Sequence, residues 1–313
     1  MKFRMFEKTM KSLLLALFAL SALVFTSCDN DDDDDDNQTI TEIVIGGSNF
    51  TLLEAAVVRA GLADALAEGS LTVFAPTDAA FQAAGFADVA AINNTPVATL
   101  QAVLQYHVLT AKVEAAAIPT ADNTAQTSLG GGTIYITKNA SGVSVNGARV
   151  TQADVAASNG VIHVIDKVLL PPAGNIVQTA QASPDLTFLV AAVTRANLGN
   201  TLSTTNPLTV FAPTNAAFQA AGFPTIESIQ SADVTTLTNI LTYHVVGARA
   251  FSTNLTNGSD VNTLANKTVR TNVTGSAVTV LGKGNNNTAS NVIGANIVTT
   301  NGVVHVIDRV LLP

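Results

Sequence analysis

The sequence predicts an α+β fold built twice in tandem, and three observations predict it. LTVFAPTDAAFQAAGF, from Leu71 to Phe86, returns as LTVFAPTNAAFQAAGF, from Leu208 to Phe223. Within each copy, apolar residues first recur at helical spacing and only later in short β-prone runs, which argues against a doubly wound parallel sheet. Hydrophobic residues make up 47% of the 313 and charged residues 12%, a balance that fits packed domains and excludes a disordered chain.

Residues 1–27 read as an export signal. Lys2, Arg4, Lys8 and Lys11 give a positive start, and LLLALFALSALVF from Leu13 to Phe25 is short of the roughly 20 residues that span a bilayer. Cys28, the only cysteine, follows at once and cannot form an internal disulfide, so lipid attachment after cleavage is the sharper reading. Residues 28–39 then form a tether, because Asp29 and Asp31 through Asp36 repel one another into an extended, solvated run. A calcium loop would instead alternate its ligands and turn on a glycine. The net charge is −8, but beyond residue 36 about 11 basic side chains face about 15 acidic ones. No basic patch stands out, so nucleic acid is not an expected partner.

The first domain spans 40–172 and the second 173–313, joined near the stretch Pro171-Pro172-Ala173-Gly174. Each opens with a helical pattern. Thr51 and Glu54 have capping-box spacing, and in the second copy Ser183 could cap with Pro184 in the first turn. The strand LTVFAP follows, then a short helix from Thr77 or Thr214 that stops at Gly85 or Gly222. Val97 to Tyr106 is a second helical stretch, and TIYIT and GVSV read as strands between turns. Each copy closes on NGVIHVIDKVLLP, from Asn159, or NGVVHVIDRVLLP, from Asn301, where Asn-Gly turns the chain into a strand buried on both faces.

TVFAPTDAAF, then Tyr-His, then NGVIHVIDKVLLP, in that order and in both copies, resembles the fasciclin domain family from about Ile40 to Pro313. The resemblance implies a wedge of β-strands flanked by helices, found outside cells and serving adhesion or matrix attachment, without catalysis or an obligate cofactor. The string before Cys28 likewise resembles a bacterial lipoprotein signal, with Phe25 where such signals usually carry Leu, and the aspartates resemble the acidic stretch of surface-exported lipoproteins.

Four histidines invite an enzyme reading, with His107, His163 and Asp166 as base, ligand or triad fragment. Residues three apart on a strand face opposite ways, so His163 and Asp166, like His305 and Asp308, cannot converge and read as structural. Asp78, Asp64 and Glu54 become Asn215, Asn200 and Val190, and no nucleophile elbow is present. Two imidazoles and a carboxylate per copy could fill zinc positions, but a histidine inside an apolar strand is more simply a hydrogen-bonded core residue. No metal and no cofactor are expected. Glycan binding lacks a platform, since there is no Trp and only Tyr135 offers a local face; the phenylalanines of the repeat read as core.

For adhesion, the resemblance implies an Asp-aliphatic pair just before the NGVIH segment, here Asp154-Val155, replaced by Asn296-Ile297 in the second copy. It also links the pairs Tyr106-His107 and Tyr243-His244 to adhesion, although a buried polar pair fixing a helix-to-strand junction fits them as well. The expectation is a lipid-anchored, surface-exposed envelope protein of a two-membrane bacterium, bound to the membrane through Cys28 and to a protein or glycan on a cell or matrix surface. The alternatives are a glycan- or small-ligand-binding envelope protein and a histidine-based, metal-dependent hydrolase.

Overall fold

The computed structural model describes residues 38–313. The export signal, Cys28 and nearly all of the acidic tether lie outside the described residues.

The first copy begins with α1 (Ile40–Gly46), α2 (Thr51–Ala60) and α3 (Ala63–Ala67), then β1 (Leu71–Pro76). It continues through α4 (Asp78–Ala83), α5 (Val89–Asn94), α6 (Val97–Tyr106) and β2 (Val108–Leu109). The strands β3 (Thr124–Thr127), β4 (Thr133–Asn139), β5 (Gly142–Val145), β6 (Ala148–Ala157) and β7 (Gly160–Ile165) complete it. The second copy repeats the order with α7 (Ile176–Gln181), α8 (Thr187–Arg195), α9 (Gly199–Thr204), β8 (Leu208–Pro213), α10 (Asn215–Ala220), α11 (Ile226–Gln230) and α12 (Val234–Tyr243). Its strands are β9 (Val245–Val246), β10 (Ser259–Asn262), β11 (Thr268–Thr274), β12 (Ala277–Leu281), β13 (Ser290–Thr299) and β14 (Gly302–Ile307).

Each copy holds one seven-stranded sheet, ordered β2-β1-β7-β6-β5-β4-β3 in the first and β9-β8-β14-β13-β12-β11-β10 in the second. Neighbours run antiparallel except at the centre, where β1 pairs β7, and β8 pairs β14, in parallel. That central pair is why LTVFAP and GVIHVI are buried on both faces. On one side Ile162 packs with Leu52, Val57, Phe81 and Leu100 of the helices. On the other, Ile165 packs with Phe74, Tyr106, Ile134 and Ile136 inside the curl of the sheet.

Local chemistry sets the elements, with two corrections to the sequence reading. Thr77 and Thr214 cap α4 and α10 through their side chains, and Gly85 and Gly222 follow with left-handed backbones. Thr51 and Glu54, however, form no capping box. Thr51 is already the first helical residue, and the orphan N–H of Leu52 donates instead to Asp78 Oδ1 at 2.8 Å. Asn215 does the same for Phe188 at 2.9 Å, so Ser183 caps nothing with its side chain. The Asp78-to-Asn215 exchange therefore preserves an acceptor for a helix N-terminus.

Candidate functional site

The closing strand of each copy carries a buried histidine beside a bulge in its neighbour. In β6 the register slips between Gln152 and Val155, and Asp154 sits there with a left-handed backbone at φ 56°. In β13 the slip lies between Gly294 and Ile297, and Asn296 has φ 64°. Asp and Asn tolerate this conformation better than other side chains that have a Cβ. The Asp154 N–H donates to His163 Nδ1 at 3.3 Å, which places the ring proton on Nε2, donating to the Val113 carbonyl at 2.9 Å. His305 repeats the arrangement with the Asn296 N–H and the Ala250 carbonyl. Phe74 and Phe211 lie beside these rings.

His163 and Asp166 stay apart, as their spacing predicts. Asp166 Oδ1 accepts the Arg149 N–H at 2.8 Å, and Asp308 accepts the Asn291 N–H at 2.7 Å, so both carboxylates tie the end of the closing strand to its neighbour. The acid that approaches His163 is Asp154, whose Oδ1 is 4.0 Å from Nδ1. Its spacing of nine residues gave no warning, because only the bulge brings the two together.

Tyr106, His107, Tyr243 and His244 are all buried, so none of them offers an adhesive contact at the surface. Tyr106 donates to the Thr133 carbonyl at 2.8 Å and accepts from Asn146 Nδ2 at 3.0 Å, and burial pushes its phenol up to about 12. His107 donates from Nδ1 to the Val103 carbonyl and accepts the Leu169 N–H at Nε2, fastening the end of α6 to the chain after β7. His244 binds the Ile240 carbonyl and the Leu311 N–H alike. Burial lowers His107, His244 and His305 to about 4, so each is neutral near pH 7. No three of the His, Cys, Asp and Glu side chains gather into a metal-binding group among the described residues.

What separates the copies is what covers the bulge. Asp154 is 44% exposed, and its carboxylate also accepts the Ala115 N–H at 2.7 Å. Asn296 accepts the matching Ser252 N–H, but its Nδ2 donates to the Gly147 carbonyl of the first copy at 3.2 Å. Asn296 is thus not a second outward contact, although Ile297 beside it is exposed. Asn296 is spent holding the copies together, and Ile297 lines a cavity of about 300 Å³ between them with Asn146, Lys167 and Leu170.

Sequence reasoning missed the rest of this contact. Arg249 is buried, with its guanidinium 4.0 Å from the centre of the Tyr135 ring and donating to the Gly302 carbonyl at 2.9 Å. Asn123 Nδ2 donates to the Arg249 carbonyl, Asn254 Nδ2 to Thr137 Oγ1 and Asp122 Oδ1, and Ser144 Oγ to Thr253 Oγ1. Tyr135 is therefore covered by the second copy and is no glycan platform. The first copy has Lys112 where the second has Arg249, and that difference was the available signal.

Known proteins match this chain along its length. The family model for the Fasciclin domain matches twice, at residues 48–171 and 184–313. Protein sll1483 of Synechocystis is 43% identical over 138 residues, covering 43% of this chain and 74% of that protein. Human periostin is 33% identical over 171 residues, covering 55% of this chain, which spans only 20% of periostin. A solved FAS1 domain pair from the insect cell adhesion molecule fasciclin I aligns over 87% of this chain and 96% of its own, at 19% identity and a TM-score of 0.44.

Proposed function

Because this chain belongs to the fasciclin domain family, we propose that it is a surface-exposed bacterial lipoprotein whose two domains mediate attachment to a cell or matrix surface without catalysis. One observation carries the reading: of the two equivalent bulges, the first presents an exposed carboxylate, Asp154, on a backbone fixed by His163 and Ala115. An acid held this way offers a partner a charged acceptor already ordered before binding, which lowers the cost of association. The buried histidines, each committed to two backbone groups, are occupied in holding the scaffold. The lipid anchor rests on the sequence around Cys28, and no helix among the described residues is long and apolar enough to cross a membrane.

Cells expressing Asp154→Asn should attach to matrix- or glycan-coated surfaces at least several-fold more weakly than cells expressing the native chain, with unchanged thermal stability. Equal attachment on every surface would sink the adhesive role of Asp154. Separately, Cys28→Ser should move the protein from membranes to the soluble fraction, and continued tight membrane association would remove the anchor.

A further inference from the structure

The two copies differ in how they close the space between their opening helices and the sheet. Hydrogen bonds that recur in both fix which residues correspond. Asn159 and Asn301 accept the N–H of Ile40 and Ile176, so Val177 and Ala180 stand where Thr41 and Val44 do. The same two amides donate to the carbonyls of Leu66 and Leu202, so Gly199 stands where Ala63 does. Asp78 and Asn215 accept the N–H of Leu52 and Phe188, so Val190 and Thr194 stand where Glu54 and Val58 do.

In the first copy this space is filled and tied shut. Val44 is buried there, and the Thr41 hydroxyl donates to the Ala63 carbonyl at 2.9 Å, joining α1 to α3. The second copy has smaller side chains at two of these places, Ala180 and Gly199, and Val177 has no hydroxyl to join α7 to α9. A pocket of about 150 Å³ lies among α7, α8, α9 and the sheet, with Leu189, Val193, Leu202 and Leu241 in its walls. Apart from its own helix backbone and adjacent residues, a methyl group on Gly199 would meet no atom within 4 Å.

The lining also decides what the pocket can hold. Half-buried Val177 and Val190 replace the polar Thr41 and Glu54, whereas the exposed Ile45 and Val58 give way to exposed Gln181 and Thr194. Apolar walls therefore meet a polar rim, the usual build of a small-molecule site. His244 reaches the pocket, but its ring nitrogens are committed to the Ile240 carbonyl and the Leu311 N–H. Thr194 Oγ1 donates to the Val190 carbonyl. No side chain inside the rim has a free hydrogen-bonding group for a charge or a water.

We infer that the second copy binds a small neutral hydrocarbon group, a benzene-sized ring or a short alkyl end, in this pocket. An apolar space of about 150 Å³ stays dry and accepts a guest of that size. An ionised group would lose its hydration there with nothing in exchange. The first copy, filled by Val44 and tied by Thr41, does not bind. The inference goes beyond attachment to a surface and does not depend on it.

Titration calorimetry of benzene into the purified full-length chain tests it, with benzoate as the charged control. A single benzene should bind per chain, roughly tenfold or more tightly than benzoate. Ala180→Val with Gly199→Ala restores the residues of the first copy and should weaken benzene binding roughly tenfold or more. Gly199→Ala alone adds a methyl to open space, so it folds even if the double variant does not, and it should weaken benzene binding several-fold. A native chain that takes up no benzene, or that binds benzene and benzoate equally, would overturn the proposal. So would folded variants that bind benzene as tightly as the native chain, because the guest would then sit elsewhere. Attachment is read on cells, so failure here leaves the adhesive reading standing.

Discussion

Asp154 and Asn296 occupy the same bulge, share the same left-handed backbone and accept the same backbone N–H, yet one faces outward and the other is pressed against a neighbouring domain. The shared features serve the fold: each backbone N–H fixes a buried imidazole, and each side-chain oxygen holds the segment after the short strand. The difference lies in the remaining side-chain atom. Against the Gly147 carbonyl a donor is needed, which an amide supplies and a carboxylate does not. Facing outward no such donor is required, and the first copy keeps the acid.

The strongest way to break the comparison is to unfold one copy and ask whether the other follows. Gly160 and Gly302 begin the closing strands, and a methyl on either would overlap the carbonyl oxygen of Leu71 or Leu208 in the parallel partner. Gly160→Ala and Gly302→Ala should each cost roughly 3 kcal/mol in the copy that carries it. Calorimetry should then resolve two transitions, with the altered copy melting first. A single unshifted transition would show that the central pairing is looser than described.

Acid probes both copies without a mutation. His107, His244 and His305 have folded-state values lowered to about 4, below the roughly 6.5 of an unfolded chain. Between those values the unfolded state binds more protons. The contribution of neutral imidazole is therefore fully present above about pH 6.5 and declines as pH falls toward 4, at about 1.4 kcal/mol per unit of separation for each histidine. Thermal midpoints should fall steadily across that window. A flat profile from pH 7 to 4 would mean that these rings are not held neutral by burial.

Much of this was legible in the sequence because it repeats. The two copies of LTVFAP, the capping threonines and the closing NGVIHVI segment follow local rules that hold wherever the chain folds. The parallel pairing of first and last strands was not legible, since it joins residues about ninety positions apart and leaves no periodic trace. Nor was the role of Asn159 and Asn301, which reads as a simple turn. Each in fact accepts the N–H of the first helical residue, Ile40 or Ile176, and donates to Leu66 or Leu202, binding the start of its copy to the end. At the candidate site, opposite orientation of His163 and Asp166 followed from strand geometry, whereas the approach of Asp154 depends on a bulge. The exposure of Tyr135, Tyr106 and Asn296 depended on packing partners that no short window contains.

The finest test exchanges the two bulge residues. Asn296→Asp keeps the left-handed backbone and the acceptor for Ser252, but it removes the donor to Gly147 and Ser252 Oγ and sets a carboxylate against a carbonyl oxygen. It should cost about 1–3 kcal/mol, read as earlier separation of the two melting transitions or faster proteolysis between the copies. Asp154→Asn keeps the acceptor for Ala115 and removes only an exposed charge, so its effect on stability should stay within about 0.5 kcal/mol. The asymmetry is the prediction, because the same pair of side chains is exchanged in both directions on the same local frame. Equal costs would mean that the bulge itself prefers one residue. A costly Asn296→Asp beside a silent Asp154→Asn would mean that the neighbouring domain sets the preference, leaving the acid at Asp154 available for a partner.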